Sequence, residues 1–109
     1  MDGQLKPLAV TSAGRSSLLP NVPTANEAGL SGFEASAWYA IAIPKNAPDE
    51  VLRGINRVVN AWLTSKKGKT VLEQNGMQGV GGSASDLSAF IASELNRWGP
   101  LIKAAKIEF

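Results

Sequence analysis

The chain has 109 residues, 44% hydrophobic and 18% charged, which fits one globular domain with a single core. It holds no cysteine and no histidine, which excludes a disulfide framework, thiolate metal sites, and the commonest general base and metal ligand. Eleven Lys and Arg against nine Asp and Glu leave a net charge of +2, whose only cluster is Lys66, Lys67 and Lys69; nucleic-acid binders carry longer basic stripes, so these lysines read as a solvated helix face and no nucleic-acid partner is expected.

The opening Met1-Asp2-Gly3-Gln4-Leu5-Lys6 has no apolar core of the kind a signal peptide needs, and no run approaches the roughly 18 apolar residues of a membrane span. On that ground alone the chain reads as cytosolic or processed. Leu5 to Thr11 is a short apolar run ending in Ser12-Ala13-Gly14 and is predicted as a strand, with Pro7 keeping its first half at an edge. Leu18 to Pro23 reads as an extended surface segment, because each residue before a proline is pushed out of the α region. Thr24-Ala25-Asn26-Glu27 has capping-box spacing, with Gly29 at a C-cap position, and predicts one or two helical turns.

Phe33 to Ile43 is the most strand-like stretch, continuously apolar from Trp38 and closed by Pro44, as expected of a strand covered on both faces. From Pro48, the residues Val51, Leu52, Ile55, Val58, Val59, Trp62 and Leu63 recur at helical spacing. Arg53, Asn56, Arg57 and Asn60 fall on the opposite, polar face, and Asp49 and Glu50 complement the dipole in the first turn. A second helix is predicted over 67–74, stopped by Asn75-Gly76, and Met77 to Val80 as a brief strand. The last helix opens at Ser83 or Ser85 and buries Leu87, Phe90, Ile91, Leu95 and Trp98. Gly99-Pro100 should break or kink it, with Leu101 to Ala105 resuming as a short terminal helix. The alternation of strands and helices points to an α/β layering, yet the strands are too few for the helix faces that need covering.

Taken in order, several segments carry a resemblance: Leu8-Ala9-Val10-Thr11-Ser12 with Arg15, Leu19-Pro20-Asn21-Val22-Pro23-Thr24, and Glu27-Ala28-Gly29-Leu30. Gly32-Phe33-Glu34-Ala35, Ser36-Ala37-Trp38-Tyr39, Gly81-Gly82 and Arg97-Trp98-Gly99 continue it. The chain resembles the C-terminal portion of the Bug/TctC proteins, extracytoplasmic solute receptors of tripartite tricarboxylate transporters. The resemblance implies an α/β fold, a partial type II periplasmic-binding-protein lobe with few strands and three amphipathic helices. Residues 1–32 would be a remnant of the second lobe and the connecting loop. Residues 33–109 would be the crossover strand and the C-terminal helical part of the first lobe. Pro100 stands where the family usually carries a residue compatible with a continuous helix.

The implied function is non-enzymatic capture of a small carboxylate for delivery to membrane permease subunits, with no cofactor or metal, in the periplasm. The alternative is a truncated, free-standing and hence cytoplasmic protein that buries its helix faces as a homo-oligomer and has lost ligand binding.

Thr11 and Ser12 follow a strand whose C-terminal end would face the cleft, and hydroxyls with free N–H groups suit a carboxylate. An ordinary strand-ending turn explains the same residues. Trp38, beside the expected hinge, is the third ligand-binding candidate, whereas Trp62 and Trp98 sit on helical stripes and read as packing residues. Arg15 could pair with an anionic ligand but reads as solvated. Gly79-Val80-Gly81-Gly82 lacks the Lys-Ser/Thr of a phosphate-binding loop.

Overall fold

The computed structural model describes residues 5–107, so Met1-Asp2-Gly3-Gln4, read above for a leader, and the last two residues lie outside the described part. Three helices follow one another in its second half: α1 (Asp49–Thr64), α2 (Lys66–Gln74) and α3 (Ala84–Ala104). They divide between two compact units, each made of two stretches of chain. The first comprises Met1–Tyr39 and Thr64–Gly79, and the second Ala40–Leu63 and Val80–Phe109.

The predicted helices are present because their signals are local. In α1, the N–H groups of Val51 and Leu52 donate to the Pro48 carbonyl at 2.9 and 3.2 Å, and Asp49 and Glu50 occupy the first turn. Ser65 caps α2, accepting from the Gly68 N–H at 3.0 Å. The end of α2 is a Schellman motif, with Met77 N–H donating to Leu72 O at 2.8 Å and Gly76 N–H to Glu73 O at 3.0 Å. Ser83, rather than Ser85, caps α3 in a full capping box. The Asp86 N–H donates to Ser83 Oγ at 3.2 Å, and the Ser83 N–H donates to Asp86 Oδ2 at 2.8 Å.

The strands and the break in the last helix come out differently. Among the described residues no named strand forms, and pairing is reduced to a single parallel bridge between Val10 and Thr24. Phe33 to Ile43 and Met77 to Val80 lie outside any ladder. A strand exists only where a neighbour accepts its N–H and C=O groups, and β-rich composition does not create one. Helix α3 runs through Gly99-Pro100 without interruption. Proline removes one intrahelical donor and crowds the carbonyl four residues earlier, but the capping box and four helical turns upstream carry the helix past it.

Burial is sparse. Val22, Thr24 and Ala25 are the buried core, with Gly68 buried in α2, and all four belong to the first unit. In the second unit, Leu52, Val59 and Leu63 of the α1 stripe are half-buried, while Val51, Ile55, Val58 and Trp62 are open to solvent, Val58 at 66% and Trp62 at 42% exposure.

Candidate functional site

The site is built on the bridge of the first unit. Val10 N–H donates to Pro23 O at 2.9 Å and Ala25 N–H donates to Val10 O at 2.7 Å, so the segment ending in Thr11-Ser12 is held against the start of the following turn. On its other side Ala35 N–H donates to Thr11 O at 2.9 Å, which ties the Phe33-Glu34-Ala35 segment to the same element. The backbone therefore brings residues 10–13, 24–26 and 32–35 together, although they are separated in sequence.

The turn after the bridge is fixed by a reciprocal pair. Thr24 N–H donates to Glu27 Oε2 at 2.8 Å, and Glu27 N–H donates to Thr24 Oγ1 at 3.1 Å. The capping box predicted here is present, but it closes turns and no assigned helix. Ala28 N–H donates to Thr24 O and Leu30 N–H to Ala25 O, both at 2.9 Å, before the chain leaves. Arg15 braces this turn from outside: its Nε donates to Glu27 Oε2 at 2.9 Å and its Nη1 to Pro20 O at 3.3 Å. The Arg15 guanidinium, with the Thr24 N–H second, holds the Glu27 carboxyl below the usual carboxylate range. The arginine read as solvated is exposed, and it is also engaged with its own chain.

Between these segments lies a solvent-open cavity of about 160 Å³ lined by Ser12, Ala13, Asn26, Gly32, Phe33 and Glu34. Gly32 belongs there for a backbone reason. Its φ of +73° is one that side chains disfavour, and its N–H donates to Asn26 Oδ1 at 3.0 Å. That bond orients the carboxamide so that Asn26 Nδ2 remains a donor. Ser12 Oγ donates to Gly14 O at 2.7 Å, so toward a ligand the hydroxyl acts as an acceptor while its backbone N–H can donate. Among the described lining residues Glu34 is the one with an ionisable side chain.

Of the residues expected at a site, Ser12 lines this cavity. Thr11 adjoins it in sequence, is exposed, and uses its carbonyl to anchor Ala35. Trp38 is 44% exposed and is not among the lining residues. Asn26 and Glu34 were not singled out from sequence. The motif Gly32-Phe33-Glu34 was visible as part of the resemblance, but nothing in its spacing shows that it folds back onto Ser12.

Among the described residues no group of three or more Asp or Glu is arranged to hold a metal ion. No helix among them is long and apolar enough to cross a membrane.

Residues 1–107 match the TctC family, described as Tripartite tricarboxylate transporter family receptor. Protein BugT of Bordetella pertussis (strain Tohama I) is 34% identical over 101 residues, a match covering 93% of this chain and 31% of that one. A UPF0065 protein in the tcbD-tcbE intergenic region of Pseudomonas sp. (strain P51) is 36% identical over 100 residues, covering 91% of this chain and 30% of that one. The solved structure of R. palustris Rpa4515 with adipate matches with a TM-score of 0.82 and 36% identity, over 94% of this chain and 34% of the other. The chain thus spans about a third of the length of each of these three proteins. Three helices, almost no strand and this structural match make the fold a partial α/β binding-protein lobe.

Proposed function

Because the chain belongs to the tripartite tricarboxylate transporter receptor family, we propose that it forms part of an extracytoplasmic receptor. That receptor captures a small carboxylate and delivers it to the permease subunits of such a transporter. The family is one of periplasmic solute receptors and not of enzymes. We accordingly place the receptor in the periplasm and assign it binding and release without catalysis. The observation that carries the reading is the 0.82 TM-score match to a protein solved with adipate, a dicarboxylate.

In this reading residues 1–32 derive from the second lobe and its connecting loop, and residues 33–109 from the first. Thr11 and Ser12 supply donors to a ligand carboxylate, and Trp38 supplies apolar cover nearby. The cavity supports the part given to Ser12, and the bond from Ala35 N–H to Thr11 O supports a fixed position for Thr11.

Size limits what this chain does alone. Ligand pockets usually measure about 300–1,000 Å³, so a cavity of about 160 Å³ admits one end group of a small acid. Binding by the 109-residue chain is therefore weak, with a Kd on the order of 1 mM. Titrating adipate into the isotopically labelled chain tests this. Saturable millimolar shifts at the Ser12, Ala13 and Gly32 amides are expected, and their absence would remove Ser12 from the site.

A second reading rests on the exposed faces of α1 and α3, where Val58 and Leu95 are 66% and 68% exposed. Soluble monomers rarely leave large apolar patches open, so self-association would cover them. Light scattering over a concentration series separates the two: a monomer throughout would dismiss the oligomer.

A further inference from the structure

We propose that Asn26 is a ligand-binding residue of the cavity, its Nδ2 group donating to a carboxylate oxygen at the end of the small acid. The inference rests on the reading of this chain as part of a small-acid receptor. It adds to that site a side chain that the sequence pattern did not single out.

A carboxamide carries an acceptor at one end and two donors at the other, so what it offers a ligand depends on what holds it. Here the backbone decides. The Gly32 N–H donates to Asn26 Oδ1 at 3.0 Å. A carboxamide turned the other way would set Nδ2 against that N–H, donor to donor, so the hydrogen-bond partner fixes which atom is the oxygen. The oxygen is thereby engaged, and Nδ2 makes no hydrogen bond among the described residues. Gly32 presents its N–H from a φ of +73°, and nothing lies within 4 Å of where its Cβ would stand, so the glycine answers to backbone conformation and not to crowding. The backbone of Asn26 is held as well. Gly29 N–H donates to Asn26 O at 3.2 Å, inside the turn that the Thr24–Glu27 pair closes.

Asn26 shares the cavity with Ser12 and Ala13. The Ser12 hydroxyl gives its proton to Gly14 O at 2.7 Å, while the Ser12 backbone N–H has no partner among the described residues. Asn26 Nδ2 and the Ser12 N–H are thus two donors at one cavity. A carboxylate oxygen is the acceptor that gains most from them, because a charge-assisted hydrogen bond is about twice as strong as a neutral one. Glu34, also in the lining, makes an interaction of its own and is assigned no part in this contact. The cavity is open to solvent, which discounts the full worth of a bond to a charged group. Loss of the Nδ2 donor should weaken binding roughly fivefold.

Adipate titrated into the isotopically labelled 109-residue chain tests this. The Asn26 side-chain Nδ2 protons appear in the same spectrum as the backbone amides. They should shift with adipate along the same saturation curve as the Ser12 and Ala13 amides. Two substitutions then separate binding from support. Asn26→Asp keeps an oxygen for the Gly32 N–H and removes the donor, whereas Asn26→Ala removes both. Both are titrated at high, constant ionic strength, where repulsion by the added aspartate charge is screened. Adipate affinity should fall roughly fivefold in each, with the Gly32 amide keeping its parent shift in Asn26→Asp. Stationary Asn26 side-chain signals, while Ser12 and Ala13 shift, overturn the proposal and leave the receptor reading intact. Parent-like affinity in Asn26→Asp also overturns it and reduces Asn26 to a support for Gly32. If no amide of the cavity moves, this proposal and the placement of Ser12 at the ligand fall together.

Discussion

The two units of this chain are stabilised in opposite ways. The unit containing α2 and residues up to Tyr39 is rich in loops, yet it holds Val22, Thr24, Ala25 and Gly68, the buried residues among those described. It is organised by paired backbone bonds, the Thr24–Glu27 box and the Arg15 brace. The other unit contains α3 and all but the last residue of α1, and none of its described residues is buried. Regular secondary structure and a core are therefore separable. Helices form from capping and periodicity within one segment, whereas burial needs a second surface. Fully burying a Val, Ile or Trp side chain contributes about 1.5–3 kcal/mol. The stripe Val51, Ile55, Val58 and Trp62, each between 36% and 66% exposed, leaves much of that stabilisation unrealised.

In the helical unit polar pins take the place of a core. Asn56 Nδ2 and Asn60 Nδ2 donate to Gly82 O at 2.8 and 3.0 Å, and Gly82 N–H donates back to Asn60 Oδ1 at 2.8 Å. The pins hold the residues that lead into the capping box of α3. The contrast can be broken most strongly at Pro100, inside α3. Pro100→Ala restores a donor and removes the crowding, so α3 should gain up to about 3 kcal/mol. Amide exchange over residues 96–104 reads this gain, and the first unit should not change.

Next comes Gly81→Ala, in the same unit. At φ +70° an added Cβ would lie 2.5 Å from Asn60 Oδ1, so the backbone is strained and the pin displaced together. The expected loss is about 2 kcal/mol, seen as faster exchange at Gly82 and in the first turn of α3. Protection equal to the parent chain would show the pins to be incidental.

Thr24→Ala probes the other unit. It deletes the hydroxyl that accepts from Glu27 N–H and should cost about 1 kcal/mol, the usual worth of a cap. Exchange at Ala25 and Glu27 reads the loss, with α3 untouched.

The smallest effects come with pH. Arg15 and the Thr24 N–H lower the Glu27 pKa, and the Ser83 N–H followed by the Ser83 hydroxyl lowers that of Asp86. A depressed carboxyl pKa contributes stability above its unfolded value and loses it as pH falls through the folded one. Both units should therefore weaken below pH about 4. The Thr24 and Ser83 amide shifts should titrate in that range. Arg15→Ala should raise the Glu27 midpoint and leave Asp86 alone, which separates the two units by a single substitution.

What could be read from sequence follows the same division. The helices and caps were legible because Ser65, Ser83, Asp86 and Gly76 act within a few residues of their own position. Phe33 to Ile43 was not legible as unpaired, since pairing depends on a partner that composition cannot supply. Asn56 and Asn60 read only as part of the polar face of α1, because nothing local points to Gly82, 22 residues beyond Asn60. Their spacing of four was the available signal: two short carboxamides one turn apart can grip one backbone unit. In the candidate site Ser12 was legible as the end of an apolar run. Asn26 and Glu34 were hidden because the Val10–Thr24 bridge and the Ala35 bond to Thr11 bring them there.

We have proposed that this chain serves as about a third of a small-acid receptor. The most direct test is a calorimetric titration of adipate into a chimera in which residues 5–107 replace the matching third of Rpa4515. The account predicts a folded chimera that binds adipate far more tightly than the 109-residue chain does. A folded chimera that binds no better than this chain would contradict it.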